Sequence, residues 1–108
     1  MPRGTALILL LSVLPLAAPA AEPGQARIRE LQDMVDQDCG SCHGLTRHGG
    51  LGTPLSPEAL ADKPAEALAA AILDGRPGTP MPPWRGLLSE GDAEWIARML
   101  KGGPANVR

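Results

Sequence analysis

The sequence predicts an all-α domain of three to four helices joined by long loops. Three observations carry that expectation. Three stretches repeat apolar residues at helical spacing with start and stop signals of their own, two loops rich in glycine and proline separate them, and no segment alternates as a strand would. The first helix is expected over residues 25–38, where Ile28, Leu31 and Val35 fall on one stripe while Arg27, Arg29, Asp33 and Asp36 fall mostly elsewhere. The second spans residues 64–74. Pro64 suits a first turn, Leu68, Ala69, Ile72 and Leu73 form the apolar series, and Gly75 stands where a helix stops. The third opens at Ser89, with Asp92 three residues on to complete a capping box, and carries Trp95, Ile96, Met99 and Leu100 before Gly102-Gly103-Pro104. A further helical turn is expected at Ser56-Pro57-Glu58. The intervening loops, 43–57 and 75–86, are long for so small a domain, and long ordered loops are commonly functional.

At 108 residues the chain has room for one domain. Its first twenty residues read as an address: Arg3 gives a positive start, residues 6–16 are almost wholly apolar, and Ala18-Pro19-Ala20 supplies the small-x-small pattern. Residues 1–20 are therefore expected to be a cleaved signal peptide and residues 21–108 the mature domain, in the periplasm. The competing reading is an uncleaved anchor, but the apolar run is well short of the roughly 20 residues a spanning helix needs, so no stable membrane insertion is expected. Removing residues 1–20 takes away one charged side chain, Arg3, and moves the formal charge from −2 to −3. No basic run suggests a nucleic-acid partner. There is no Phe or Tyr and only two Trp, Trp84 and Trp95, which is little bulky apolar matter for a core. Domains this small usually need a staple, a metal or another added core.

The chemistry concentrates at Cys39-Gly40-Ser41-Cys42-His43, which holds the chain's two cysteines. Two thiols with two residues between them, followed at once by histidine, can add across two vinyl groups while the imidazole reaches the iron from the same face. The spacing reads as c-type haem attachment through Cys39 and Cys42, with His43 as the proximal iron ligand. A thioredoxin-like dithiol would require a βαβ setting, and this chain offers no strand. Zinc would require four ligands. Cys39, Cys42, His43 and His48 reach that number only if the adjacent Cys42 and His43 share one tetrahedral ion. A structural disulfide in an exported chain is the remaining alternative. A buried porphyrin would also supply the bulk that the composition lacks.

Of the four methionines, Met1 lies in the leading segment and Met34 and Met99 lie on helices, where apolar packing is the ordinary role. Met81 differs. It sits in Gly78-Thr79-Pro80-Met81-Pro82-Pro83-Trp84, a loop stiffened by proline on both sides. A thioether there would close the sixth iron position and raise the reduction potential, so Met81 is the expected distal ligand, against the plainer role of filling a gap in the core.

With these residues in order the chain resembles a class I cytochrome c over nearly all of its mature length. A helix runs into Cys39-x-x-Cys42-His43-Gly44; a Gly-Leu-Gly segment at residues 50–52, the Gly78-Thr79-Pro80-Met81 loop and a last helix bearing Trp95 follow. The resemblance implies the small class I cytochrome c fold, with three to four helices and long loops wrapped around one covalently bound haem c. It also implies a crossing of the first and last helices, with Ile28 and Leu31 near Trp95 and Met99. Members of that family usually have proline directly after the loop glycine, with a backbone carbonyl there accepting the proximal histidine's Nδ1 proton. This chain has Thr53 at that place and Pro54 one residue later, which leaves open which carbonyl accepts. Cys42-His43-Gly44-Leu45-Thr46, Gly49-Gly50-Leu51-Gly52, residues 75–84 and Leu88-Ser89-Glu90 are similar to the cytochrome c55x type of denitrifying bacteria. What that implies is a monomeric electron carrier, not an enzyme, with a redox protein partner. That partner would be the haem d1 nitrite reductase, which the carrier would supply with electrons or whose haem d1 it would help to mature.

Arg47, His48, Arg76 and Arg85 lie in the two loops, while the first helix carries Glu30, Asp33, Asp36 and Asp38. A basic docking face is one expectation from that placement; solvated loop arginines are the other. A haem enzyme or gas sensor with an opening sixth position is the functional rival, and His48 is the only spare histidine it could use. An electron carrier for an oxidase or a periplasmic dehydrogenase is the third reading.

Overall fold

The computed structural model describes residues 4, 8–16 and 20–103. It contains α1 (Gln25–Met34), a π-helical turn (Val35–Cys39), α2 (Gly40–His43), α3 (Ala65–Asp74) and α4 (Glu90–Leu100), with no strand among the described residues. The all-α expectation holds. Residues 8–16 take no regular secondary structure and Ile8, Leu9, Leu10, Leu11, Val13, Leu14 and Leu16 are exposed, while Ala18 and Pro19 of the expected cleavage pattern lie outside the described residues. No described helix is long and apolar enough to cross a membrane.

The helix signals translate directly into geometry. Pro64 caps α3 from an extended conformation, and its carbonyl accepts from Ala67 and Leu68 at 3.1 and 3.2 Å. Ser89 caps α4: its hydroxyl accepts from the Asp92 N–H at 3.0 Å while the Asp92 carboxylate accepts from the Ser89 N–H at 3.1 Å. Near Ser56 the structure has hydrogen-bonded turns, with Leu60 N–H donating to Ser56 O at 3.1 Å, but no regular helix. The first helix departs from expectation. It continues past Met34 only by widening into the π turn, which nothing in the composition of Val35–Cys39 announces.

One apolar cluster gathers Leu31 and Val35, Leu60, Ala69 and Leu73 of α3, Leu88, and the α4 residues Ala93, Trp95, Ile96, Ala97, Met99 and Leu100. Ile28 packs at its edge, so the four residues expected at the crossing of the first and last helices belong to one core. Arg27 on α1 locks that arrangement. Its guanidinium donates to the buried Asp92 carboxylate through Nε at 3.2 Å and Nη2 at 2.9 Å, and to Leu87 O at 2.9 Å. Burial alone would raise the Asp92 pKa, but Arg27 and the Ser89 N–H outweigh it and hold the carboxylate below its ordinary value. At the other end of α4 the Lys101 ammonium donates to Leu60 O at 2.8 Å and to Lys63 O, fixing the turn before α3.

Candidate cofactor-attachment site

The π turn delivers Cys39 half-buried, and the short α2 that follows leaves Cys42 exposed and ends at His43. Both thiols are free, so neither is consumed in a disulfide. Burial first, and Asp38 second, push the Cys39 thiol up and keep it protonated; a backbone hydrogen bond and Arg47 act the other way. The loop after His43 folds back onto α2. Gly49 N–H donates to His43 O at 2.9 Å and Gly52 N–H to Cys42 O at 2.7 Å. A Cβ at Gly52 would stand 2.6 Å from His43 Nδ1, so only glycine lets the backbone lie against the imidazole.

That approach brings Thr53 O within 2.7 Å of His43 Nδ1, and so Thr53, not Pro54, supplies the acceptor. A carbonyl can only accept, so Nδ1 carries the proton and donates. The imidazole is then the tautomer whose Nε2 lone pair is free for a metal, on a ring whose orientation the same bond fixes. Thr53 can replace the proline usual at this place because the acceptor is main chain and indifferent to the side chain.

Met81 comes from a different part of the fold. Gly75 ends α3 with φ +69°, and a Cβ there would meet Met81 O at 2.8 Å. The loop then returns to cap α3. Trp84 N–H donates to Ile72 O and Leu73 O at 3.1 Å, and Arg85 N–H to Leu73 O at 3.0 Å, satisfying carbonyls the helix end leaves open. Met81 N–H donates to Thr79 Oγ1 at 3.4 Å, and its side chain is half-buried. Among the described residues no backbone hydrogen bond runs from this loop to the one that holds His43.

The four basic loop residues differ in their surroundings. Arg85 is tied to Asp74 at 2.7 Å and to Glu90 at 3.8 Å, and Arg47 turns inward. His48 is exposed, with Nδ1 at 3.1 Å from Thr46 Oγ1, and Arg76 is exposed. No group of three or more His, Cys, Asp or Glu side chains gathers as a metal site among the described residues.

Residues 26–100 match the family model described as cytochrome C oxidase, cbb3-type, subunit III, and the chain belongs to that cytochrome c family. Cytochrome c55X of Paracoccus denitrificans (strain Pd 1222) is 55% identical over 94 residues, 87% of this chain and 91% of the relative. The chain is a class I c-type cytochrome of the c55X type. Cytochrome c55X of Pseudomonas aeruginosa is 56% identical over 90 residues, 82% of this chain and 76% of its own length. A solved structure of the c-type cytochrome NirC superposes with TM-score 0.74 at 54% identity, covering 77% of this chain and 98% of that one. The dihydro-heme d1 dehydrogenase of P. aeruginosa is 41% identical over 102 residues, 94% of this chain but 19% of that enzyme.

A cytochrome of this family carries haem c covalently and transfers electrons. The residues present fit that group: two unpaired thiols flank one turn, and the adjacent imidazole is fixed in the metal-binding tautomer. Gly52 is a functional residue that sequence reading passed over. Its signal is the Gly-Leu-Gly segment, whose contact with the His43 ring no local pattern announces.

Proposed function

We propose that Cys39 and Cys42 would form the thioethers to haem c and that His43 Nε2 and Met81 Sδ would be its two iron ligands. The observation that carries this reading is the 2.7 Å contact between His43 Nδ1 and Thr53 O, which leaves Nε2 available beside two free thiols. The group would supply a one-electron couple when bound. The chain's task would then be to hold His43 and Met81 on the iron in either redox state, so that a transfer would require no ligand exchange. His43 is held by its carbonyl partner. Met81 is held by a loop that closes on α3 at both ends. Such a site favours a carrier over an enzyme or sensor.

The chain is further proposed to be exported, to lose residues 1–20, and to work as a monomer in the periplasm. Its partner is proposed to be the haem d1 nitrite reductase. Support comes from the cytochrome c55X relatives and from NirC. A second reading, service in the maturation of haem d1, is favoured by the cytochrome-like stretch within the dihydro-heme d1 dehydrogenase.

Two measurements test these assignments. Met81→Ala should abolish the methionine–iron spectral signature while leaving the haem covalently bound; rapid carbon monoxide binding by the reduced wild type would instead favour the sensor. Stopped-flow mixing of reduced protein with oxidised haem d1 nitrite reductase should show transfer at micromolar concentration. No transfer there, with electrons accepted during dihydro-haem d1 oxidation, would replace the first partner by the second.

A further inference from the structure

Arg47 carries a charge that the site described above does not use. It is the only non-glycine residue among those described with a left-handed backbone, φ +62°. That region is strained for an L residue, and glycine occupies the neighbouring positive-φ positions 44 and 49. An arginine held against such strain points to a use for its side chain. Its backbone is pinned on both sides, with Arg47 N–H donating to Gly44 O at 2.8 Å and Leu55 N–H donating to Arg47 O at 2.9 Å.

The side chain runs inward. Its Nη1 lies 3.5 Å from the sulfur of Met99, a buried residue of α4, and a thioether is a weak, uncharged acceptor. Arg27, Arg85 and Arg98 each pair with at least one carboxylate, whereas no ion pair among the described residues involves Arg47. A cation therefore stands half-buried against α4 with no ion-pair partner among the described residues, where fields are screened less than in water. The Arg47 backbone is anchored beside the attachment motif, since the carbonyl that accepts from Arg47 N–H belongs to Gly44, the residue after His43.

We propose that Arg47 sets the reduction potential: its half-buried, unpaired guanidinium, held between the attachment motif and α4, favours the ferrous state of the haem attached there. Ferric haem carries one more positive charge than ferrous haem, so a nearby cation penalises the oxidised form. The proposal rests on the attachment through Cys39, Cys42 and His43.

Redox titration of holo-protein tests it, with haem attachment checked by mass and methionine ligation by visible spectrum in every variant. Arg47→Gln removes the charge. Poised at the wild-type midpoint, its oxidised-to-reduced ratio should rise about tenfold, which is a midpoint lower by about 59 mV for a one-electron couple. Arg47→Lys keeps the charge and should stay within about twofold of wild type. Arg47→Met, which keeps the apolar stem, gives the same neutral comparison if the glutamine variant does not fold. A ratio unchanged within about twofold in the neutral variants, or a lysine variant that falls as far as they do, would overturn the proposal. Wild type lacking the haem mass would overturn the attachment assignment and this proposal together; covalent haem with an unshifted glutamine variant would overturn this proposal alone.

Discussion

The helices and the two glycine- and proline-rich loops of this chain are held by different forces. Every residue of the buried apolar cluster lies outside residues 43–57 and 75–86. The helices share that core and are clasped by Arg27 and Asp92, which stand 65 residues apart in sequence. The loops contribute only Leu55 and Trp84 at its edge, and Leu45 and Leu51 stand exposed. They keep their shapes through backbone hydrogen bonds to the helix each one follows. The difference teaches that the helices are joined to one another by a core of their own, whereas no backbone hydrogen bond among the described residues joins the loop of His43 to the loop of Met81.

The largest expected effect would test that difference. Replacing Cys39 or Cys42 with Ala should abolish stable covalent haem, seen as loss of its mass. Limited proteolysis of the resulting chain should cut within residues 43–57 and 75–86 before α4. Early cutting inside α4 would mean that the frame, too, relies on the cofactor. A smaller but still large loss should follow in the core itself. Trp95→Ala should destabilise the holo-protein by about 3–5 kcal/mol in denaturant unfolding, through lost burial and the cavity left behind.

Asp92→Ala comes next, at about 1–3 kcal/mol, because it removes the capping box and leaves Arg27 without its carboxylate. The Asp92 carboxylate has a depressed pKa in the folded chain, so its stabilisation is complete above the ordinary value of 3.8 and fades as pH falls through the folded value. Asp92→Asn should therefore lose less stability than wild type on acidification below pH 3.8. Parallel acid titrations of unfolding for the two proteins measure this. The smallest effect is expected at Thr53→Ser, within about 0.5 kcal/mol and with an unchanged proximal-histidine signature, since only the carbonyl is used. A changed signature would show that the Thr53 side chain matters.

Much of this division was legible in the residues. The capping box at Ser89, the stop at Gly75 and the apolar stripes are local patterns, and each formed where the sequence placed it. Candidate ligands were legible too, because Cys39, Cys42 and His43 lie within one turn and Met81 sits in its own rigid loop. The surroundings of Arg85 and Arg47 were not legible in the same way. Loop membership says nothing of whether a long side chain meets Asp74 and Glu90, as Arg85 does, or turns towards Met99, as Arg47 does.

The sequence by itself determined the helices, the attachment motif and the family, because those depend on spacing within a few residues. Tertiary structure decided the rest. It placed Thr53 O rather than Pro54 O on His43, closed Arg27 onto Asp92, widened the helix before Cys39 into a π turn and left Arg47 without a carboxylate. These outcomes depend on where the folded chain brings distant groups together, and on how closely a glycine such as Gly52 lets them approach.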